Sequence, residues 1–196
     1  MVIDKYFSEG KELFNDWKAG KIKDIDFLAT VFRAIHQEEA HIIEDIHTIP
    51  IDEYVPHFIK HVQENGGDFY ILSAGTDYYI HHILKKYDIK NVTVFSNEGF
   101  FHEKNIHMKI DSNDWKYSER YGIDKSKVIQ KLKEEYKLVY FAGDSEPDSH
   151  PAVFADLTFA KDALQDMLKE KGVPYKSVEE FTEIEEYLID KGLISK

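Results

Sequence analysis

Side chains that can bind a metal or a phosphate follow an apolar run in the second half of the chain. Asp144 comes directly after LVYFA (138–142) and a glycine, and Asp148 lies four residues further on. Two carboxylates in this position are hard oxygen ligands of the kind that Mg²⁺ takes, alongside waters and a substrate phosphate. The same pattern is typical of an aspartate turn that caps a helix, so taken alone it leaves both interpretations open.

A second candidate is the segment Ser73-Ala74-Gly75, which follows the apolar run DFYIL (68–72) and precedes a helix. A hydroxyl and the free amides at a helix start can cradle an anion, because the unpaired N–H groups and the helix dipole both favour negative charge. The segment is predicted as a tight loop, and the alternative to an anion site is that this loop is only a turn, which is common for such residues.

The third candidate is Lys125, at the start of a helix predicted over residues 124–136. A cation there could neutralise a bound phosphate. A lysine is more often a solvated surface charge, and Lys127 is a neighbouring competitor for the same role.

The elements that must position these residues fall into two regions. In the N-terminal region, Phe27, Val31 and Ile35 repeat at helical spacing. Beyond it, short apolar runs alternate with helical patterns, which predicts βαβ units and a mainly parallel sheet. We therefore predict a helical cap region over residues 1–50 and an α/β, Rossmann-like core over residues 51–196.

Ligands of such a sheet bind beyond the carboxyl ends of its strands, where the candidate residues lie in sequence. Gly66 and Gly67 predict the end of one helix, and Thr76 or Asp77 the cap of the next. The two apolar runs above are predicted as buried strands. Further strands are predicted at 92–95 and 156–160, a hairpin at 100–110 with Asn105 in its turn, and helices at 162–171 and 178–190.

Composition excludes several classes. The chain has 196 residues, a net charge of -12 and no cysteine, so disulfide frameworks, thiolate zinc sites and cysteine nucleophiles are ruled out. The acidic balance disfavours nucleic acid as a partner, but a small phosphorylated metabolite is still allowed. No apolar run is long enough to span a membrane and the N-terminus does not read as a signal peptide, so we expect a cytoplasmic protein, with homo-oligomerisation left open.

The order of these motifs resembles the haloacid dehalogenase superfamily of phosphotransferases. The resemblance is to its phosphoserine phosphatase-like branch, which includes the methionine-salvage enol-phosphate phosphatases. It implies that Ser73 is the second motif, Lys125 the third, and Gly143, Asp144 and Asp148 the GDxxxD acidic loop. On this basis Ser73 with the amides of the next two residues would bind phosphate, Lys125 would stabilise charge, and the two aspartates would hold or orient Mg²⁺.

The resemblance covers about residues 52–190, and the helical N-terminal region fits the family's cap. The family's first motif is a hydrophobic strand ending in DxDx(T/V), whose first Asp attacks phosphorus, and this motif has no match in the sequence. Asp4 has no second Asp two residues on, and Asp24 with Asp26 lies inside a helical pattern. We therefore expect a central first strand to be missing, Met1 to be an internal methionine, and Mg²⁺ binding to be weak or absent in this chain.

The implied activity is hydrolysis of a small phosphomonoester through an aspartyl-phosphate. One alternative is a catalytically inactive module that binds phosphate or has a regulatory role. A weaker alternative is a helical di-metal protein, suggested by two Glu-x-x-His motifs within residues 38–47, although their spacing points them to different faces of one helix. His57 and His61 have the spacing of a zinc protease pair, but HFIKH lacks the glutamate that would act as base.

Overall fold

The structure, a computed structural model, describes Lys5 and residues 10–196. They form two compact units, and the chain passes between these units more than once. The first unit holds the described residues up to Ile49 with 71–90 and 94–124, and the second holds 50–70, 91–93 and 125–196. The division at residue 50 stays a prediction. No helix among the described residues is both long and apolar enough to cross a bilayer.

Three helices open the first unit: α1 (Lys11–Lys18), α2 (Asp24–Phe32) and α3 (Glu39–Ile46). The apolar side of α2 is buried through Phe27 and Val31, each 1% exposed, as the helical spacing predicts. The Trp17 ring stacks on Phe27 with centroids 4.5 Å apart, which attaches α1 to α2.

A three-stranded sheet in the order β1-β2-β3 follows, with α5 (Asp77–Lys86) after its first strand. Its strands are β1 (Phe69–Thr76), β2 (Val92–His102) and β3 (Asn105–Lys109), and β2 pairs with β3 in antiparallel fashion. The Thr76 hydroxyl accepts a hydrogen bond from the Tyr78 amide at 3.4 Å, which confirms Thr76 as the cap of α5.

Two local predictions in this sheet are wrong. The segment 73–75 is not a loop, because β1 continues to Thr76; the Asn97 amide on β2 donates to the carbonyl oxygens of Ala74 and Gly75 and holds the chain extended. The hairpin at 100–110 is confirmed, but Asn105 is not in its turn.

That turn consists of Glu103 and Lys104, which both have positive φ, 45° and 65°. His102 pairs with Asn105 across the turn, so Asn105 is the first residue of β3. A two-residue turn with positive φ at both positions matches the twist of the flanking strands, and this geometry outweighs the preference of asparagine for turns.

The second unit is built on a parallel sheet in the order β6-β7-β8, formed by β6 (Tyr140–Gly143), β7 (Leu157–Ala160) and β8 (Tyr175–Ser177). Its helices are α4 (Val55–Glu64), α6 (Lys125–Glu135), α7 (Ala163–Glu170) and α8 (Phe181–Asp190). Phe58 of α4, Phe159 of β7 and Leu188 of α8 share one buried cluster. The mixed α/β fold with a parallel sheet is thus confirmed.

Among the described residues, β1 and β6 are the end strands of their sheets: β1 pairs with β2 alone and β6 with β7 alone. Both were predicted as buried strands, yet β1 is only half-buried along most of its length and Ala142 of β6 is exposed. An end strand lacks a neighbour on one side, which accounts for the exposure.

Several short elements have no counterpart in the sequence prediction. They are the ribbon of β4 (Tyr117–Ser118) with β5 (Gly122–Ile123), strand β8, and the 3₁₀ turn at Pro151–Val153. Segments of two or three residues are too short to show a hydrophobic period.

Candidate functional site

The acidic loop begins where β6 ends. Ser145 caps the 3₁₀ turn Glu146–Ser149, and Asp148 closes a capping box with it. The Asp148 Oδ2 atom accepts hydrogen bonds from the main-chain amides of Asp144 at 3.1 Å and Ser145 at 3.4 Å. Asp148 is only 6% exposed, so these donors compensate for the burial of its charge.

Gly143 is required by the closeness of this loop to the strand. A Cβ atom built on Gly143 would lie 2.7 Å from the Cβ, Cγ and Oδ2 atoms of Asp148. No side chain fits in that space, because non-bonded carbon atoms do not approach so closely. The glycine of the GDxxxD pattern therefore lets Asp148 fold back against the end of β6.

Lys125 is the first residue of α6, and its Nζ atom lies 2.6 Å from Oδ1 of Asp148. The two side chains are only 12% and 8% exposed, so this is a buried ion pair. Lys127, the competing candidate, is exposed. The structure thus brings together two of the predicted site residues that lie 23 positions apart in sequence.

Asp144 differs from Asp148 in its surroundings. The residue is exposed, and its carboxylate has no hydrogen-bond or ion-pair partner within the described part of the chain. Its main-chain oxygen accepts a hydrogen bond from the Leu164 amide at 3.1 Å, which fixes the backbone at the start of α7. The loop therefore presents one available carboxylate beside a second whose oxygens already have partners.

Ser73 lies in the first unit with its own set of contacts. Its Oγ atom accepts from the Gly75 amide at 3.1 Å and shares a hydrogen bond of 3.1 Å with the Tyr79 hydroxyl. Burial raises the pKa of Tyr79, and the hydrogen bond with Ser73 partly offsets that rise. A Cβ on Gly75 would meet the Tyr79 hydroxyl oxygen at 2.6 Å, so a side chain at this position would displace the Tyr79 ring.

Asn97 supports the same segment from β2 and was missed by sequence reasoning. It is 4% exposed, and its Nδ2 atom lies 3.0 Å from each of three main-chain oxygens, those of Ala74, Gly75 and Tyr121. Nothing in the local sequence marks this asparagine, because its partners lie more than twenty residues away on either side.

Of the predicted site residues, Ser73, Ala74 and Gly75 belong to the first unit, and Lys125, Asp144 and Asp148 to the second. Lys125 and Asp148 are in direct contact, and the Asp144 amide is bonded to Asp148. The catalytic, phosphate-binding and metal-binding roles of these six residues stay predictions. Asp24 and Asp26, the rejected Asp-x-Asp pair, open helix α2, where Asp24 accepts from Arg120 at 2.8 Å.

No family model matches the chain. Its fold resembles a solved structure described as a phospho-aspartyl intermediate analogue of phosphoserine phosphatase, with a TM-score of 0.65 at 18% identity over 95% of this chain and 91% of that one. The chain therefore shares the fold of the phosphoserine phosphatases, as the resemblance predicts.

Sequence comparison also finds relatives that are named phosphatases. A 2-hydroxy-3-keto-5-methylthiopentenyl-1-phosphate phosphatase from Bacillus pumilus is 28% identical over 187 residues, covering 93% of this chain and 80% of that protein. The enzyme of the same name from Bacillus velezensis is 31% identical over 133 residues, covering 65% of this chain and 54% of the relative. The chain is a homologue of these phosphatases, as the resemblance predicts.

Proposed function

We propose that this protein hydrolyses a small phosphomonoester with the help of Mg²⁺, through an aspartyl-phosphate intermediate. The observation that supports this most directly is the buried Lys125–Asp148 pair beside the available carboxylate of Asp144, at the carboxyl end of a parallel strand. Ligands of parallel sheets bind at such strand ends. The enol-phosphate that names the Bacillus relatives is the first substrate to test.

The donor set fits Mg²⁺. Asp144 offers an exposed carboxylate without a partner among the described residues, and Mg²⁺ takes one or two such oxygens in addition to waters and substrate phosphate. When bound, the ion would offset negative charge on the phosphoryl oxygens. Both oxygens of Asp148 already accept hydrogen bonds, so Asp148 is better suited to orient Lys125 and the loop than to be the principal ligand.

In the proposed reaction an aspartate oxygen attacks phosphorus in line with the ester oxygen. The new O–P bond forms as the P–O bond to the alcohol breaks, and the leaving alkoxide would take its proton from the second aspartate of the Asp-x-Asp motif, which is the general acid that the resemblance implies. Water then cleaves the aspartyl-phosphate and releases inorganic phosphate. Lys125 would stabilise the charge on the phosphoryl group, and Ser73 with the amides of Ala74 and Gly75 would bind its oxygens.

None of the motifs in this sequence supplies the attacking aspartate. The sequence contains no hydrophobic strand ending in Asp-x-Asp, and β6 pairs on one side only among the described residues. We propose that a strand carrying this aspartate pairs with the free edge of β6. Such pairing would also satisfy main-chain groups that, if buried, would each cost about 1–3 kcal/mol unpaired. A cytoplasmic location belongs to the same proposal, since a chain without cysteine suits a reducing compartment.

An assay with an aryl phosphate and Mg²⁺ tests the proposal. The chain of 196 residues is expected to be nearly inactive, and a version extended upstream by its own coding sequence is expected to turn over. In the extended protein, Asp144→Ala should abolish the Mg²⁺-dependent rate, while Asp190→Ala, which removes an exposed acid at the end of α8, should leave it intact.

Two results would count against it. Retained activity in Asp144→Ala would exclude the acidic loop as the Mg²⁺ site of the reaction. If the upstream codons hold no in-frame hydrophobic strand with Asp-x-Asp, and the chain binds phosphate without turnover, the inactive regulatory module becomes the better conclusion.

A further inference from the structure

A second cluster of ionisable side chains lies on helices α4 and α8, within the second unit. His57 and His61 are one helical turn apart on α4, and Glu185 faces them from α8. The Nδ1 atom of His61 lies 2.7 Å from Oε1 of Glu185, and the Nε2 atom of His57 lies 3.7 Å from the same oxygen. One nitrogen or oxygen from each of the three residues lies within 4.8 Å of the others.

The two helices hold these side chains in a fixed relation. At one end, Asp52 Oδ2 accepts from the Phe181 amide at 3.0 Å, and at the other, Asn65 Oδ1 accepts from the Ser195 amide at 2.8 Å. Phe58 of α4 also packs on Phe181 with ring centroids 5.2 Å apart, and it shares a buried cluster with Leu188 of α8. A scaffold fixed at both ends and packed in the middle keeps ligand atoms in place before an ion arrives.

A fourth residue orients the carboxylate. The Tyr54 hydroxyl donates to Oε2 of Glu185, which leaves Oε1 to face the two imidazoles. Burial by itself raises the pKa of Glu185, but the hydrogen bonds from Tyr54 and His61 and the nearby imidazoles lower it further, so the net shift is downward. The same contact raises the pKa of Tyr54 to about 12, so this hydroxyl stays a donor at neutral pH.

We propose that His57, His61 and Glu185 form a binding site for a divalent transition-metal ion of the Zn²⁺ type, separate from the acidic loop that serves the phosphatase reaction. Two imidazole nitrogens and one carboxylate oxygen are a common zinc donor set, whereas Mg²⁺ prefers oxygen ligands only. The two sites therefore select different ions.

The two separations from Glu185 are close to those that a bound ion needs, and because the three ligand atoms lie within 4.8 Å of one another, the imidazoles would move together by at most about 1.5 Å. Tetrahedral Zn²⁺ with bonds of about 2.0–2.1 Å places its ligand atoms about 3.3 Å apart. The present separations of 2.7 and 3.7 Å lie on either side of that value. Any proton shared between His61 Nδ1 and Glu185 would leave on binding. The His57 side chain is 61% exposed, so the ion has access from solvent and a water can complete the coordination.

Titration with Co²⁺ and Zn²⁺ tests this site directly, with visible d–d absorption for Co²⁺ and calorimetry for Zn²⁺. The Asp144→Asn protein is used throughout, so that the acidic loop contributes less binding. One equivalent should bind, with release of protons, and a large excess of Mg²⁺ should not displace it. His57→Ala should weaken binding at least tenfold, and Tyr54→Phe about 10–100-fold, as expected for loss of a group that orients a ligand.

His41→Ala is the matched control, because it removes an exposed histidine from α3 in the other unit and should leave the affinity unchanged. The thermal melt of metal-free His57→Ala should match that of the parent, since this side chain is largely in solvent. The proposal is overturned if no saturable binding occurs, if His57→Ala binds as tightly as the parent, or if His41→Ala weakens binding as much.

Discussion

The buried ion pair between Lys125 and Asp148 makes a strong prediction for the variant Asp148→Asn. An asparagine fills the same space and can keep its Oδ1 toward the amides of Asp144 and Ser145. Its NH₂ group then faces the Lys125 ammonium, so a donor meets a donor where an anion stood 2.6 Å away. The lysine charge is left without compensation in a site where its side chain is 12% exposed.

Removing one partner of a buried pair costs about 3–5 kcal/mol, because the other charge stays buried and unpaired. We expect the lower end, about 3 kcal/mol, since the asparagine oxygen can still accept from the loop amides. For an m value of about 2 kcal/mol/M in urea, the unfolding midpoint should fall by about 1.5 M. Far-UV circular dichroism is the suitable probe, because both tryptophans, Trp17 and Trp115, belong to the first unit and the ion pair to the second.

A double-mutant cycle separates the pair from its surroundings. Lys125→Met removes the cation, and the combination Lys125→Met/Asp148→Asn leaves neither charge behind. The double variant should be more stable than the sum of the two single losses predicts, with a coupling of about 1–3 kcal/mol.

Glu134→Gln provides the matched control. Glu134 lies 2.7 Å from Lys131 on the surface of α6, nearly the same separation as in the buried pair, but both side chains are more than half exposed. This substitution should leave the midpoint unchanged, because solvent screens an exposed pair. A midpoint for Asp148→Asn as high as that of the parent, or strictly additive single losses, would refute the reasoning.

Two further predictions concern stability. Asn97→Ala leaves three main-chain oxygens without their donor in the first unit, so we expect a loss of at least about 2 kcal/mol in urea unfolding followed by tryptophan fluorescence; an unchanged midpoint would mean that water replaces the amide. Hydrogen bonds from Lys133 and from the Val139 amide lower the pKa of Asp156 below its usual value of 3.8. The ionised carboxylate therefore stabilises the folded protein above that pH, and this stabilisation is lost as the pH falls through the lowered pKa. Asp156→Asn should therefore be less stable than the parent at pH 7 and equally stable at a pH below the lowered pKa. A difference in stability that persists at that low pH would show that the charge of Asp156 is not its cause.

The sequence predicted the parts of this structure that depend on local pattern. The helix that begins at Lys125, the glycine stop near Gly66 and the Thr76 cap all follow from spacing and from capping chemistry, which act over a few residues. The resemblance to a known family also connects Lys125 with the acidic loop, because it implies that both belong to one site, and the two are in contact.

The parts that were missed depend on contacts between distant segments. Glu185 lies 124 residues beyond His61, so the local pattern around the histidine pair does not include its carboxylate. Asn97 likewise donates a hydrogen bond to a strand more than twenty residues earlier. The segment at Ser73, which is predicted as a loop, is extended in that strand. A hydrophobic repeat along the sequence does not reveal such pairs, because tertiary packing and not sequence spacing brings them together.

Asp148 shows why the structural and the functional interpretations of a motif need not compete. The sequence offered a turn-capping aspartate or a metal ligand as alternatives, yet one oxygen of Asp148 closes the capping box while the other holds Lys125. Capping fixes the loop, and the fixed loop is what leaves the Asp144 carboxylate in solvent at the end of β6. Gly143 makes both possible, since any side chain there would occupy the position of Asp148. The second aspartate of the motif is thus needed for the geometry of the first.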